Sequence, residues 1–251
     1  MTGELSRFTS NRRTRGEASW KTDEDWKAGV VENVEISGGG LVPTPPPEGG
    51  EDLDFVTDNF EDGSLTEYVV DSSKDNGSAS VVQSSRSLEG DNLARIATNG
   101  RVFALGSTSG LFSYPSAGDI PTFHVLFPNG DNNALYLYYG VQQGDRANGT
   151  GYRVTLRNKH NSMRLDNRRS GGTVANSSTR NIPSNEWLTV EVDWRTDGDH
   201  FVKVFDSEGS ELGSMSGTDS GLTSGGIGYG LNNRNGNSSV TYVDFVGYRS
   251  P

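Results

Sequence analysis

Short runs in which apolar and polar residues alternate fill the chain from residue 51 to its end. The clearest is WLTVEVDW at 187–194, and after a short turn HFVKVF at 200–205 continues the alternation. A period of two is typical of a strand with one buried face, and two such runs joined by a tight turn predict a β-hairpin. Further strands are predicted at 80–83, 93–96, 101–105, 122–127, 134–141, 152–157, 162–167, 226–231 and 240–248.

Turn residues separate these runs. Glu-Asp-Gly at 61–63, Asp-Asn-Gly at 75–77, Asn-Gly at 148–149 and Asp-Gly-Asp at 197–199 are examples, and Gly, Asn and Asp tolerate the backbone conformations of tight turns. No stretch has a convincing helical period. Roughly twelve strands without a helix predict an all-β, two-sheet sandwich.

The first part of the chain is organised differently. Residues 1–42 carry a strand-like run at 29–36 and two tryptophans, Trp20 and Trp26, and PTPPPEGG follows at 43–50. Such a proline-rich run forms a semi-rigid spacer rather than sheet or helix. We therefore divide the chain into a segment 1–42, a linker 43–50 and a sandwich 51–251.

The segment 1–42 is too short to bury a core of its own. Its two tryptophans need cover, which predicts a small β or extended anchoring segment that packs Trp20 and Trp26 against other subunits in a threefold or fivefold homo-oligomer. The alternative is a disordered leader whose tryptophans dock on the main domain.

Charge narrows the range of partners. The net charge is -11, and the 22 basic residues comprise 5 Lys and 17 Arg. An acidic surface with few lysines suits high salt, where self-repulsion is screened, and this favours a halophile over an ordinary acidic extracellular protein. Duplex nucleic acid would be repelled.

Two further features are excluded by composition. No apolar run approaches the ~18–20 residues of a membrane span. The chain has no cysteine, so it can form neither a disulfide nor a thiolate metal site.

Three motifs carry a resemblance. FEDGSLTEY at 60–68, NEWLTVEVDW at 185–194 with its hairpin, and GIGYG at 226–230 with VDFV at 243–246 resemble the opening, centre and close of concanavalin A-like or laminin-G-like jelly-roll modules. The resemblance covers residues 51–250 and implies the fold, which hosts lectins, glycan-binding modules and glucanases. The leader with its tryptophans and proline linker resembles the anchoring segment of virion spike or tail-fibre proteins.

A laminarinase-like active site would need three acids in an E-x-D-x-x-E pattern. Glu191 and Asp193 supply the first two, but Thr196 stands where the general acid should be. Glycoside hydrolysis requires an acid to protonate the leaving group, and no Ser-His-Asp pattern or metal-ligand spacing of histidines is present. We therefore expect a protein that is not an enzyme, with the three histidines on the surface or on a sheet face.

Alternation also predicts a binding face. If the strands concerned are neighbours, one sheet face carries aromatic and cationic side chains that suit acidic sugars. The predicted glycan-binding residues are His124, Tyr136, Tyr138, Arg153, Arg157 and Arg164. The alternative is a solvated face on which tyrosine and arginine pack across strands.

The same resemblance implies a structural calcium ion. In related jelly rolls the acid of the opening motif and an acid of the last strand bind Ca²⁺, and the matching positions are Glu61 and Asp244, with Asp58 close to the first. Calcium takes six to eight oxygen ligands. The alternative is a set of turn acids that bind no metal.

Together these points predict a non-enzymatic virion surface protein, a capsid spike or tail fibre of a halophilic virus. Residues 1–42 would bind other virion subunits, and the sandwich would attach to a host-surface glycan or glycoprotein in a high-salt, extracellular setting. The alternatives are a carbohydrate-active enzyme or its glycan-binding module, and a haloarchaeal cell-surface adhesion module.

Overall fold

The computed structural model describes residues 53–71, 77–88, 90–127, 133–142, 151–233 and 239–251. The predicted anchoring segment 1–42, with Trp20 and Trp26, and the linker 43–50 lie outside the described residues. Within those six ranges there is no helix, and therefore none that could span a membrane.

Fifteen strands make up the described part of the chain. They are β1 (Phe55–Asp58), β2 (Tyr68–Asp71), β3 (Ser78–Gln83), β4 (Asn92–Thr98), β5 (Arg101–Gly106), β6 (Ile120–Leu126), β7 (Asn133–Val141), β8 (Tyr152–Arg157), β9 (Ser162–Asn167), β10 (Gly172–Ser178), β11 (Trp187–Trp194), β12 (Asp199–Phe205), β13 (Glu211–Thr218), β14 (Gly226–Asn233) and β15 (Ser239–Arg249).

The strands form two antiparallel sheets. The eight-stranded sheet has the order β13-β12-β11-β6-β15-β4-β3, with β1 paired to the second half of β15, and the seven-stranded sheet has the order β10-β9-β8-β7-β14-β5-β2. Apolar residues of both sheets form one large buried cluster. The predicted all-β, two-sheet sandwich is therefore confirmed.

The predicted hairpin is β11 and β12, paired from Thr189 with Phe205 to Trp194 with His200. Val190, Val192, Val202 and Val204 are fully buried, and each buried side chain of this size contributes about 1.5–3 kcal/mol. The residues between them point to the opposite side of the sheet. The hairpin therefore holds the core with one face and offers polar side chains on the other.

Four strands were not predicted: β1, β2, β10 and β13. The first two have four residues each, and β10 and β13 read GTVANSS and ELGSMSGT. Strands β2, β10 and β13 lie at sheet edges and β1 pairs only with β15. Because an edge strand buries less apolar surface than a central one, its hydrophobic alternation is weak.

His200 corrects the expectation that all three histidines lie on the surface or on a sheet face. It is fully buried, with Nδ1 2.8 Å from Tyr139 Oη and Nε2 2.8 Å from the backbone oxygen of Asp219. Burial lowers the pKa of His200. Its ring completes a buried polar network beside Trp194, 6.3 Å away between ring centroids.

Candidate functional site

The strand register brings most of the predicted glycan-binding residues together. Tyr138 pairs with Arg153, and Arg153 pairs in turn with Asp166 on β9. Because alternate residues share a face, the outer face of the seven-stranded sheet carries five of the six predicted residues. We call this the arginine–tyrosine face: Tyr136, Tyr138, Arg153, Arg157 and Arg164.

The two tyrosines of this face are packed rather than open. Tyr136 is 6% exposed and Tyr138 1%, and the Phe103 ring stacks parallel to that of Tyr136 at 5.7 Å. Gly228 and Gly230 of β14 lie beside Leu105 and Phe103, where a Cβ atom would meet the neighbouring side chains at 2.6 and 2.7 Å. The missing side chains make room for a second apolar cluster.

Two of the three arginines of this face, Arg153 and Arg164, are held by a buried carboxylate. Arg153 lies 2.7 Å and Arg164 2.8 Å from Asp166 Oδ2, and the Arg153 guanidinium lies 4.4 Å from the Tyr136 ring centroid. Burial acts to raise the pKa of Asp166, but the hydrogen bonds from both arginines outweigh it and lower that pKa. These contacts match cross-strand tyrosine–arginine packing, and the glycan-binding role of these residues stays a prediction.

His124 does not lie on the arginine–tyrosine face. It is part of β6 in the middle of the other sheet, with Nδ1 3.1 Å from the backbone oxygen of Phe245. Burial lowers its pKa. The expectation that His124 joins the tyrosines and arginines was wrong because it assumed that β6 neighbours β7.

The three acids predicted to bind calcium do not form one cluster. Glu61 Oε1 accepts a hydrogen bond from the backbone of Asn92 at 3.0 Å, and Asp244 Oδ2 accepts from the Ser87 hydroxyl at 3.2 Å and from the backbone of Leu88. Both acids thus hold the loop between β3 and β4. Asp58 is buried at the end of β1, where it pairs with Val246, and no group of three potential ligands that could hold a metal is present among the described residues.

A groove on the outer face of the eight-stranded sheet has a volume of about 290 Å³. Its floor combines Glu191 and Asp193 of β11 with their partners across the strand pair, Lys203 and Phe201 of β12. We call it the sheet groove, and its lining residues are Ile120, Glu191, Asp193, Arg195, Phe201, Lys203 and Arg249.

Each carboxylate of the sheet groove lies beside an arginine. Arg249 Nη2 is 3.8 Å from Glu191 Oε2, and Arg195 Nε is 2.9 Å from Asp193 Oδ2. The Arg195 guanidinium also lies 4.2 Å from the centroid of the Phe201 ring. Lys203 is exposed and forms no ion pair with any described residue.

The sheet groove therefore offers acceptors, donors and apolar surface at once. Carboxylates accept hydrogen bonds, whereas guanidinium and ammonium groups only donate. The half-buried ring of Phe201 and the side chain of Ile120 supply the apolar part. Phe205 is also half-buried and lies on the same side of β12 as Phe201 and Lys203.

Sequence reasoning found part of this groove and missed the rest. Glu191 and Asp193 were singled out as two acids of one alternating strand, and the hairpin pattern would have placed Phe201 and Lys203 beside them. Ile120 and Arg249 come from β6 and β15. No local signal predicts that these distant strands become neighbours.

Comparison with known proteins addresses the fold. No protein-family model matches the chain, and no curated protein gives a significant match. Solved structures with a similar fold include a carbohydrate-binding module, CBM66, from Bacillus subtilis at TM-score 0.50 and 15% identity, which spans 74% of this chain and 96% of that one. A protein of unknown function with a galectin-like fold from the same species matches at TM-score 0.52 and 11% identity, over 74% and 90%.

An endo-β-1,4-glucuronan lyase from Trichoderma reesei matches at TM-score 0.46 and 13% identity, covering 80% of this chain and 96% of that chain. Identities this low indicate fold and not activity. The described residues form an antiparallel two-sheet β-sandwich similar in fold to CBM66 and to the galectin-like protein, and the sequence motifs implied a sandwich of this kind.

Proposed function

We propose that the sandwich is a non-enzymatic glycan-binding module whose ligand site is the sheet groove. The observation that carries the proposal is the composition of this groove, in which paired carboxylates, cations and a half-buried phenylalanine ring line one cavity. Sugars need such a mixture, because each hydroxyl both donates and accepts hydrogen bonds while the ring carbons present apolar patches.

Size and rigidity support the proposal. Small-molecule sites usually have volumes of about 300–1,000 Å³, and the groove, at about 290 Å³, suits one or two sugar units. All of its lining residues except Arg195, which follows the end of β11, project from β6, β11, β12 or β15. Side chains on paired strands are held more firmly than side chains on loops.

The arrangement of acids favours binding over hydrolysis. Each carboxylate of the groove has an arginine partner, and Thr196 stands where the third acid of the laminarinase-like pattern would be. A retaining glycosidase needs one carboxyl group that is protonated when it meets the leaving group. Neither the sequence pattern nor the lining of the groove supplies a third carboxyl group for that role.

The first prediction is that the full chain binds glycans through this groove. On a glycan array and by calorimetry, Phe201→Ala should weaken binding by about tenfold or more, equivalent to about 1.4 kcal/mol, because the ring loses its contact with the sugar. Phe112→Ala is the matched control, since Phe112 is fully exposed and lies outside the groove.

Equal affinity of the Phe201→Ala protein, with an unchanged melting temperature, would remove the sheet groove as the site. Release of reducing ends from a bound oligosaccharide would instead show an enzyme.

We further propose that Glu61 and Asp244 bind calcium at the loop that they hold. The melting temperature, measured with calcium and with a chelator, should then be raised by calcium in the wild type and not in Asp244→Asn.

We also propose that the protein is displayed on a virion of a halophilic virus and attaches to host-surface glycans. The acidic composition, the proline-rich linker at 43–50 and the two tryptophans before it support this. Weak single-site affinity would be raised by multivalent display. Mass spectrometry of purified particles from the source culture should detect the chain, and its absence from particles would contradict the virion role.

A further inference from the structure

We infer that Lys203 makes the sheet groove selective for glycans that carry an anionic group, a carboxylate or a sulfate. This inference rests on the proposed function and names its ligand class. It concerns one residue whose role in the groove differs from that of every other charged lining residue.

The first step is the pairing of charges. Arg249 lies beside Glu191 and Arg195 beside Asp193, so two of the three cations are matched by the two acids. Lys203 is the third cation, and it has no ion pair or hydrogen bond with the residues that the structure describes. The groove therefore carries a local net charge of +1 within a chain whose net charge is -11.

The second step is the position of Lys203. It alternates on β12 with Phe201 and Phe205, and Glu191 of β11 and Ser214 of β13 flank it. The Cα atoms of Phe201 and Lys203 are thus about 6.6–6.8 Å apart along the strand, which is close to the width of one pyranose ring. A sugar packed on Phe201 would bring its substituents to the lysine.

The third step is solvation. Lysine is an exposed, strongly hydrated charge on a flexible stem, so it can follow an anionic substituent without disturbing the sheet. The other cations are less available: Arg249 is mostly buried and contacts Glu191, and Arg195 is shared between Asp193 and the Phe201 ring. Recognition of an acidic group therefore falls to Lys203.

The test compares glucose oligosaccharides with glucuronic acid and sulfated oligosaccharides of the same linkage and length. The full-length wild-type chain should bind at least one acidic series about tenfold more tightly than the neutral one, and added salt should reduce this preference. Lys203→Gln should abolish the preference, because it should weaken acidic binding about tenfold more than neutral binding. Lys203→Arg should keep it, and Lys159→Gln, a change at an exposed lysine of the β8–β9 turn, should have no effect.

Four outcomes would overturn the inference. Equal wild-type affinity for neutral and acidic sugars would contradict it and leave the proposed function in place. So would a preference that survives in Lys203→Gln, or a loss of neutral and acidic binding by the same factor. Binding to none of the sugars would overturn the proposed function and this inference together.

Discussion

Asp58 shows at the scale of one residue how burial changes acid chemistry in this fold. Its side chain is 9% exposed, and Oδ1 accepts a hydrogen bond from the backbone of Phe60 at 2.7 Å. Burial raises the pKa of Asp58 from its ordinary value of 3.8 to about 7, and the hydrogen bond from Phe60 only partly offsets it. The folded chain thus holds this proton over a range in which the unfolded chain has released it.

The sign of the pH effect follows by linkage. Between about pH 4 and pH 7 the folded state binds more protons at Asp58 than the unfolded state, so the free energy of unfolding falls as the pH rises through this window. Asp58→Asn keeps an acceptor for Phe60 and cannot ionise. At neutral pH it should be more stable than the wild type by a few kcal/mol, since one pKa unit corresponds to about 1.4 kcal/mol.

Chemical denaturation of both proteins from pH 4 to pH 8 measures this difference. Asp62→Asn is the matched control for the loss of one negative charge, because Asp62 is exposed in the adjacent turn. A gap between wild type and Asp58→Asn that stays constant over the whole range would mean that Asp58 does not change its protonation with folding.

At the scale of elements, hydrophobic alternation predicted the strands that have one mostly apolar and one mostly polar side. The bounds of β8, β9 and β11 match the predicted runs, and the β11–β12 hairpin was predicted as a unit. In β8 and β11 one side is strictly apolar, and in β9 only Asn167 interrupts that side. The strands that were missed lie at edges or pair with a single neighbour, where tertiary contacts rather than hydrophobic alternation decide pairing.

The candidate sites also depend on strand pairing, which hydrophobic alternation does not predict. The register places Tyr138 and Arg153 on one face, which alternation alone had left to depend on strand pairing. Their burial was not predicted, because it depends on Phe103 and Leu105 lying over the glycines of β14. His124 was misplaced because sequence does not state which strands become neighbours. Pairing order has to come from the structure.

At the scale of the whole molecule, net charge is the property that can be read most directly from the sequence. With 33 acidic and 22 basic residues, repulsion is screened over about 3 Å at 1 M salt but over about 10 Å at 0.1 M. The melting temperature should therefore fall by several degrees as salt is lowered from 1 M to ~0.1 M.

Calorimetric melts across this salt range test the effect. A variant with Glu186→Gln and Glu208→Gln, both at exposed positions, should depend less on salt because it repels itself less. A melting temperature that does not change with salt in the wild type would contradict the assignment to a high-salt environment.

The β11–β12 hairpin has a consequence for how such a module could diversify. Along both strands every second residue is buried in the core, and four of the residues between them, Glu191, Asp193, Phe201 and Lys203, line the sheet groove. Asp193, Phe201 and Lys203 can therefore be exchanged without changing Val192, Val202 or Val204. A library of variants randomised at the groove positions of this one hairpin would sample new ligand preferences while each member inherits the same folding core.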